Sequence, residues 1–363
     1  MVFALAGLFG FHLLRAELET TEEIATELLR IAQAVQVPAL MVGAHQALGG
    51  VLLWRGQFTA AHAHLEKGII FYRSEQRYPR GILHPGVVSF CYAGIALWSL
   101  GYPDQALARC YEGLTLAHEI DQPFSLAFAV QWTATLHFFR GEIQQAREYL
   151  ERLDAISVDW AFPFWETVGV LLRGRVHVVQ GHIEEGIALI RQGITTYQAS
   201  GVVMLYPASL ATLAEAYGKG GKPEEGLQML PEALTVTSNT GQHHCEAELY
   251  RLKGELLLMQ ESKGQDSKGK NQKSKIKTNS RHSALASQGE AEECFLKAIG
   301  ISQKQQAKSL ELRASTSLAR LWQQQGKRHE AHSMLSDIYG WFTEGFDTKD
   351  LQEAKALLDE LRD

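Results

Sequence analysis

Several groups of residues have types and spacing that could do chemistry. Gly264, Gly269 and Lys270 form GxxxxGK, the spacing of a loop that cradles phosphate, but Asn271 stands where such a loop needs a Ser or Thr hydroxyl for Mg2+. No apolar strand precedes the motif and no amphipathic helix follows it, so nothing rigid would aim its backbone N–H groups. A solvated loop is the expectation there. Fourteen histidines invite a metal search. His62 and His64 lie two apart and face away from each other on a helix. His243, His244 and Cys245 run consecutively, and His329 and His332 share a face at i, i+3. Neither HExxH nor a Cys/His quartet with zinc spacing occurs. A GxSxG elbow, a kinase catalytic set and a carboxylate pair in an apolar setting are also missing. The sequence therefore predicts no catalytic residue, no cofactor and no metal site.

The elements that would position any binding residues show in a repeat. WSLGYPDQAL, FFRGEIQQAR, VVQGHIEEGI and GKGGKPEEGL align on Gly101, Gly141, Gly181 and Gly221, in steps of 40 residues. Gly56 lies 45 residues earlier and Gly326 lies 105 later, which is two steps and 25 inserted residues. Seven positions before each glycine is a small residue: Gly49, Gly94, Ala134, Gly174, Ala214 and Ala319. Five after it is another: Ala61, Ala106, Ala146, Gly186, Gly226 and Ala331. The interrupted copy keeps Gly254 before the insertion and Ala291, Phe295 and Ala298 after it. This spacing describes two helices joined by a tight turn, crossing where neither carries a large side chain. Glycine accepts the left-handed backbone of the turn, and Pro103 and Pro223 suit the first turn of the next helix.

Composition agrees with long helices: proline is only 9 of 363 residues, and 45% of residues are hydrophobic. The net charge of −6 argues against bulk electrostatic binding of nucleic acid, which needs a surplus of Lys and Arg. That average hides a run from Glu261 to Gly289 with seven basic and two acidic residues, leaving about −11 on the rest. Residues 261–285 are low in apolar side chains and are expected to form a disordered basic insertion. Cys91, Cys110, Cys245 and Cys294 are too sparse for a disulfide framework, so a reducing, cytoplasmic setting is expected. The opening MVFALAGLFGFHLL is apolar for 14 residues, too short to cross a bilayer. It reads as a buried first helix, covered by a preceding part of a longer protein or by a partner, and no membrane association is expected.

The frame of small and apolar residues around each glycine resembles the tetratricopeptide repeat, across roughly residues 13 to 340. The period of 40 exceeds the usual length of about 34, and most copies lack the proline that usually ends a repeat. Both features are similar to the long-period form in bacterial signal-transduction ATPases. LYRLKGELLL, LAEAYGKGGKPEEGL and the tail from Ser309 onward resemble the C-terminal repeat region of proteins that carry cyclase or kinase and ATPase domains. The resemblance implies an all-α right-handed solenoid of about seven helix pairs over 1–363, with turns near 20, 56, 101, 141, 181, 221, 261–286 and 326. A capping helix is expected over 340–363.

What it implies for function is a protein-interaction scaffold with no catalysis of its own, the sensor or regulatory arm of a signalling protein. ATPase or cyclase domains would lie N-terminal to it in the parent. The alternative is a part of a nucleotide-regulated enzyme whose catalytic domains lie outside the chain. The inward positions of the first helices would line a groove for a protein or peptide. In the middle repeats these are Val88, Cys91, Ile95, Trp98, Phe128, Gln131, Thr135, Phe138, Val168, Leu171, Arg175 and Val178. In later repeats they are Glu215, Arg251, Glu255, Arg313 and Arg320. An apolar half beside a charged half suits an amphipathic segment; otherwise the apolar residues pack longer helices against one another.

Overall fold

Helix-forming runs alternate with left-handed turns along the whole chain. The computed structural model describes residues 2–74, 83–268 and 277–362. It begins with α1 (Val2–Leu14) and α2 (Leu18–Val35). Seven helix pairs follow. They are α3 (Pro38–Trp54) with α4 (Phe58–Ser74), α5 (Pro85–Leu100) with α6 (Pro103–Glu119), and α7 (Pro123–Arg140) with α8 (Ile143–Asp159). Next come α9 (Pro163–Val179) with α10 (Ile183–Ala199), and α11 (Tyr206–Lys219) with α12 (Pro223–Thr240). The last are α13 (Glu246–Lys268) with α14 (Lys277–Gln305) and α15 (Lys308–Gln324) with α16 (Arg328–Tyr339); α17 (Lys349–Arg362) closes the array. The described residues hold no strand, and no helix among them is long and apolar enough to cross a membrane.

Each glycine of the 40-residue frame ends a first helix. Gly56, Gly101, Gly141, Gly181, Gly221 and Gly326 all have φ between +67° and +95°. The residue after each donates its N–H to the carbonyl five positions back, as Tyr102 does to Leu97 at 2.9 Å and Glu142 to His137 at 2.9 Å. The period proves to be a doublet. Between these turns lie others at Asp121, Ala161, Gly201 and Gly241, also left-handed, so positive φ recurs every 20 residues from Gly101 to Gly241. Proline opens α3, α5, α6, α7, α9 and α12, where its missing donor is not needed.

The small residues lie at the crossings. A methyl group at Gly94 would sit 2.8 Å from the Ala106 carbonyl oxygen, and one at Gly226 would sit 2.8 Å from that of Ala214. At Gly174 it would meet the Gly186 oxygen at 2.9 Å and the Ile190 N at 3.0 Å. Helix axes therefore approach until backbone meets backbone.

The solenoid closes on itself after about five pairs. Odd-numbered helices from α3 onward line the inside, each against the next odd one, and α15 returns to pack on α5. Ser309 Oγ donates to the Trp98 carbonyl at 2.6 Å. Glu344, in the turn between α16 and α17, accepts from the backbone N–H groups of Asp104 and Gln105 at 2.9 and 3.0 Å and from Gln105 Nε2 at 2.9 Å, capping α6. Arg140, only 4% exposed, joins Asp104, Glu142 and Asp347. Farther back, Val203 and Met204 donate to the Leu14 carbonyl. Early turn glycines take part in the seam: a side chain at Gly101 would strike Trp341 and Lys308, and one at Gly141 would strike Lys349.

Three boundaries differ from the sequence expectation. The turn placed near residue 20 is at Ala16 (φ 57°), because Leu18 already packs inward at the start of α2. The expected cap over 340–363 is a helix only from Lys349; residues 340–348 form the turn that reaches α6. Within 261–285, α13 runs on to Lys268 and α14 begins at Lys277, so helix continues into the run expected to be disordered, and 269–276 lie outside the described residues. The last three residues of the GxxxxGKN motif fall in that stretch. In α1, Phe9 packs inward while Leu8, Phe11 and Leu14 are exposed, because α2 covers only one side of a helix that is apolar all round.

Two outcomes follow from the crossings and the seam. Gly174→Ala should destabilise by about 1–3 kcal/mol by overpacking, whereas Gly300→Ala, with open space around it in α14, should stabilise by roughly 0.5–1 kcal/mol. Urea unfolding followed by circular dichroism measures both, and equal midpoints would disprove the close crossing. Glu344→Ala removes the cap on α6 and should cost about 0.5–2 kcal/mol. Small-angle X-ray scattering should show a larger radius of gyration for that variant; an unchanged profile and midpoint would show that the seam does not rest on Glu344.

Candidate functional site

Closure turns the inner groove into a chamber of about 200 Å3. It is positioned by helical spacing. Gln131 and Thr135 on α7, Leu171 and Arg175 on α9, Ala211 and Glu215 on α11, and Glu248 and Leu252 on α13 are each four apart, and each pair faces inward. Its lining includes the apolar Ile95, Trp98, Val168 and Leu171 and the charged Arg175, Glu215, Glu248 and Arg313.

Of the inward positions read from the sequence, Trp98, Gln131, Arg175, Glu215 and Arg313 line the chamber. Phe138 stands behind it, with its ring 3.8 Å from the Arg175 Cζ. Arg251 and Glu255 form a layer beneath the charged lining residues. Arg251 grips Glu248 with two bonds of 2.7 and 2.8 Å and Glu255 with one of 2.5 Å. Glu255 also accepts from Ser317 Oγ at 2.8 Å. Arg320 is not part of the groove: it is 45% exposed and pairs with Glu353 at 2.9 Å, because α17 packs on α15 there. Among the further positions, Ile95, Thr135, Val168 and Leu171 face inward, while Cys91 is spent on a crossing, its Sγ 3.0 Å from where a Gly113 side chain would begin.

The charges form a chain. Glu248 takes Arg251 on one side and stands 3.9 Å from Arg313, which reaches on to Asp350 of α17 at 2.7 Å. Burial alone would raise the Glu248 carboxyl, but Arg251 and then Arg313 and Arg175 outweigh it and hold it at about 2. Glu215 behaves alike: burial acts to raise it, Lys219 at 2.8 Å and Arg175 pull it down, and it stays ionised. Arg313 lies over the Trp98 ring, 5.1 Å from its centre.

Arg175 is the exception. It makes no hydrogen bond or ion pair with the described residues, and its Nε is buried without a partner. Its contacts are the faces of Phe138 and Phe139, at 3.8 and 5.9 Å from the ring centres. Burial lowers its pKa to about 10, so it remains a cation at neutral pH.

Sequence spacing missed several contributors. Glu248 links two arginines, and the signal for it was its place three residues before Arg251 on one helix. Asp350 arrives from α17, beyond the repeat frame. Trp54 and Trp132, which are not among the inward positions read from the sequence, also back the chamber; their ring centres are 5.9 Å apart, with His244 edge-on to Trp54 at 4.9 Å. His177, His182 and Glu185 place ligand atoms within 4.8 Å of one another at the α9–α10 turn, outside the chamber. The same turn position carries His12 with Glu17 and His137 with Glu142, so this cluster repeats a bridge across the turn.

The chamber groups are arranged to hold charge rather than to move protons. Glu248 is too weak a base at about 2, and burial pushes the Cys245 thiol, at the chamber edge, up to about 12.

No protein-family profile matches the chain, and no curated protein matches it. Its fold is similar to several solved structures at low identity. A Rap protein complexed with competence and sporulation factor superposes with TM-score 0.55 at 10% identity, over 99% of this chain and 97% of that one. The Rap conjugation gene regulator of plasmid pLS20 with the Phr* peptide gives 0.57 at 10% identity, over 99% and 96%. A monomeric mutant of IFIT1 with Gppp-AAAA gives 0.56 at 16% identity, over 98% and 72%. These likenesses, the seven helix pairs and the repeated small-residue crossings together make the chain an all-α solenoid with a tetratricopeptide-like repeat fold.

Proposed function

We propose that the chain is a non-catalytic interaction scaffold that takes a segment of a partner polypeptide against its inner helices. The observation that carries this reading is the convergence of seven inner helices on one chamber lined by both apolar and charged side chains. Such a surface suits a segment with one apolar and one charged side. The two Rap structures of similar fold support it, since each is described with a peptide or factor bound. Resemblance of the tail and of the 249–258 and 213–227 segments to the repeat arms of bacterial signalling ATPases and cyclases supports a regulatory arm in signalling. Absence of a nucleophile, acid–base pair or phosphate loop among the motifs supports reading the chain as having no catalysis of its own.

The test is selection of linear peptides by display on the purified chain, followed by binding of the selected peptides to Thr135→Trp, which fills the chamber, and to Glu148→Trp on the exposed face of α8. Thr135→Trp should weaken binding at least tenfold and Glu148→Trp should leave it unchanged. Equal binding by both would place the site elsewhere, and ATP hydrolysis by the chain above a buffer control would overturn the non-catalytic reading.

A further inference from the structure

The carboxylates around the chamber already have close cations. Glu248 is held by Arg251, Glu255 by Arg251, Asp350 by Arg313 and Glu215 by Lys219. Of the two arginines lining the chamber, Arg313 holds Asp350 while Arg175 presents a guanidinium fork with no carboxylate from the described residues on it, and its contacts are aromatic faces and the chamber. Stacking on a ring offsets part of a cation's desolvation but satisfies none of its N–H donors. A carboxylate is the group whose two oxygens match that fork, in a bidentate pair.

The rest of the chamber limits what can be attached to that carboxylate. Beside Arg175 the chamber is lined by Ile95, Val168, Leu171 and Leu252, together with the Trp98 and Trp132 rings, which reward an apolar body. A dry apolar cavity of about 150 Å3 accepts a benzene ring. The present 200 Å3 accommodates a ring with a short acid arm, or an acyl chain of comparable length. Glu215 and Glu248 line the same chamber and would repel a second negative charge, which disfavours phosphate esters and dicarboxylates.

From this geometry we infer that the chamber holds a small organic monocarboxylate with an apolar aryl or acyl body, its carboxylate on Arg175 and its body against the α5, α7 and α9 wall. This goes beyond the polypeptide reading, and it names Arg175 as the residue that selects the ligand's charge. The same chemistry, an apolar group carrying a free carboxylate, also occurs at the end of a peptide, so the experiment separates the two sources.

The intact chain is titrated with 3-phenylpropanoate and with hexanoate, following tryptophan fluorescence from the chamber wall and the heat of binding. 3-Phenylpropanol and 3-phenylpropylamine serve as neutral and cationic counterparts. Saturable binding of at least one acid is expected, at least tenfold tighter than that of the alcohol and with no binding of the amine. Arg175→Met should remove the preference for the acid over the alcohol, and Arg175→Lys should keep part of it. Thr212→Phe, which fills the chamber while leaving Arg175 in place, should abolish binding of acid and alcohol alike. Circular dichroism melts identify any variant that fails to fold; if Arg175→Met does, the alcohol comparison on the native chain and the Thr212→Phe variant decide the question. Equal affinity for acid and alcohol, or no saturable binding of either acid, would overturn the inference. A peptide ending in Phe is titrated with a free and with an amidated C-terminus. If the free-ended peptide binds while both small acids fail, the small-acid inference falls and the polypeptide reading stands. If the acids bind and display selects no peptide, the reverse holds.

Discussion

The architecture depends on how closely two helices approach where neither carries a large side chain. At Gly94, Gly174 and Gly226 the facing atom is a backbone carbonyl oxygen within 3 Å of where a methyl group would be. Contact between backbones leaves little freedom in the crossing, since peptide units do not change rotamer as side chains do. From Gly101 to Gly241 the pairs repeat every 40 residues, one 20-residue helix and turn followed by another. Repeating a fixed geometry generates a superhelix of fixed rotation. Closure after about five pairs is therefore a result of the crossing rather than of any single long-range contact.

The long-range contacts then secure what the repetition brings together. Glu344 supplies negative charge to the N-terminus of α6, and Arg140 gathers carboxylates from α6, its own α7–α8 turn and the segment before α17. The Arg140 pairs join a buried guanidinium to carboxylates that are partly or largely exposed, and they sit over a seam already shaped by glycine. Gly101 and Gly141 serve both purposes, since their φ values of +95° and +84° end the first helices and their missing side chains admit Trp341, Lys308 and Lys349. Gly181, Gly221 and Gly326, which lie away from the seam, need only the first property.

This division explains what was legible beforehand. Glycine recurrence and the small residues at seven before and five after were readable because they act within one pair, and they located the turns and most of the inward positions. The alternate turns at Asp121 and Ala161 were invisible because non-glycine residues adopt the left-handed backbone there. Closure was not readable, because the rotation between pairs is a property of packed surfaces and leaves no local pattern. Misplacement of Arg320 has the same origin: it occupies an inward position of its helix, but α17 lies across it with Glu353 and Asp350. For α1, hydrophobicity says that the helix prefers cover and does not say what supplies it, and the face with Leu8, Phe11 and Leu14 is exposed.

Closure also changes the meaning of a charge on an inner helix. In an open groove, Arg175 would be a hydrated side chain whose pairing mattered little. Inside the chamber it loses water, and a buried ion without a counter-ion carries an effective penalty of several kcal/mol. The two phenylalanine faces return about 2 kcal/mol of that, and the ionised Glu215 and Glu248 nearby return more through space without touching it. Arg251 and Arg313 show the other solution, in which carboxylates close upon the guanidinium. Neighbouring arginines thus differ in whether their hydrogen bonds are already made, and the unspent donors belong to the one stacked on aromatic faces. Structure and recognition separate at that point: the paired arginines hold α13, α15 and α17 together, and the unpaired one is left to meet whatever enters.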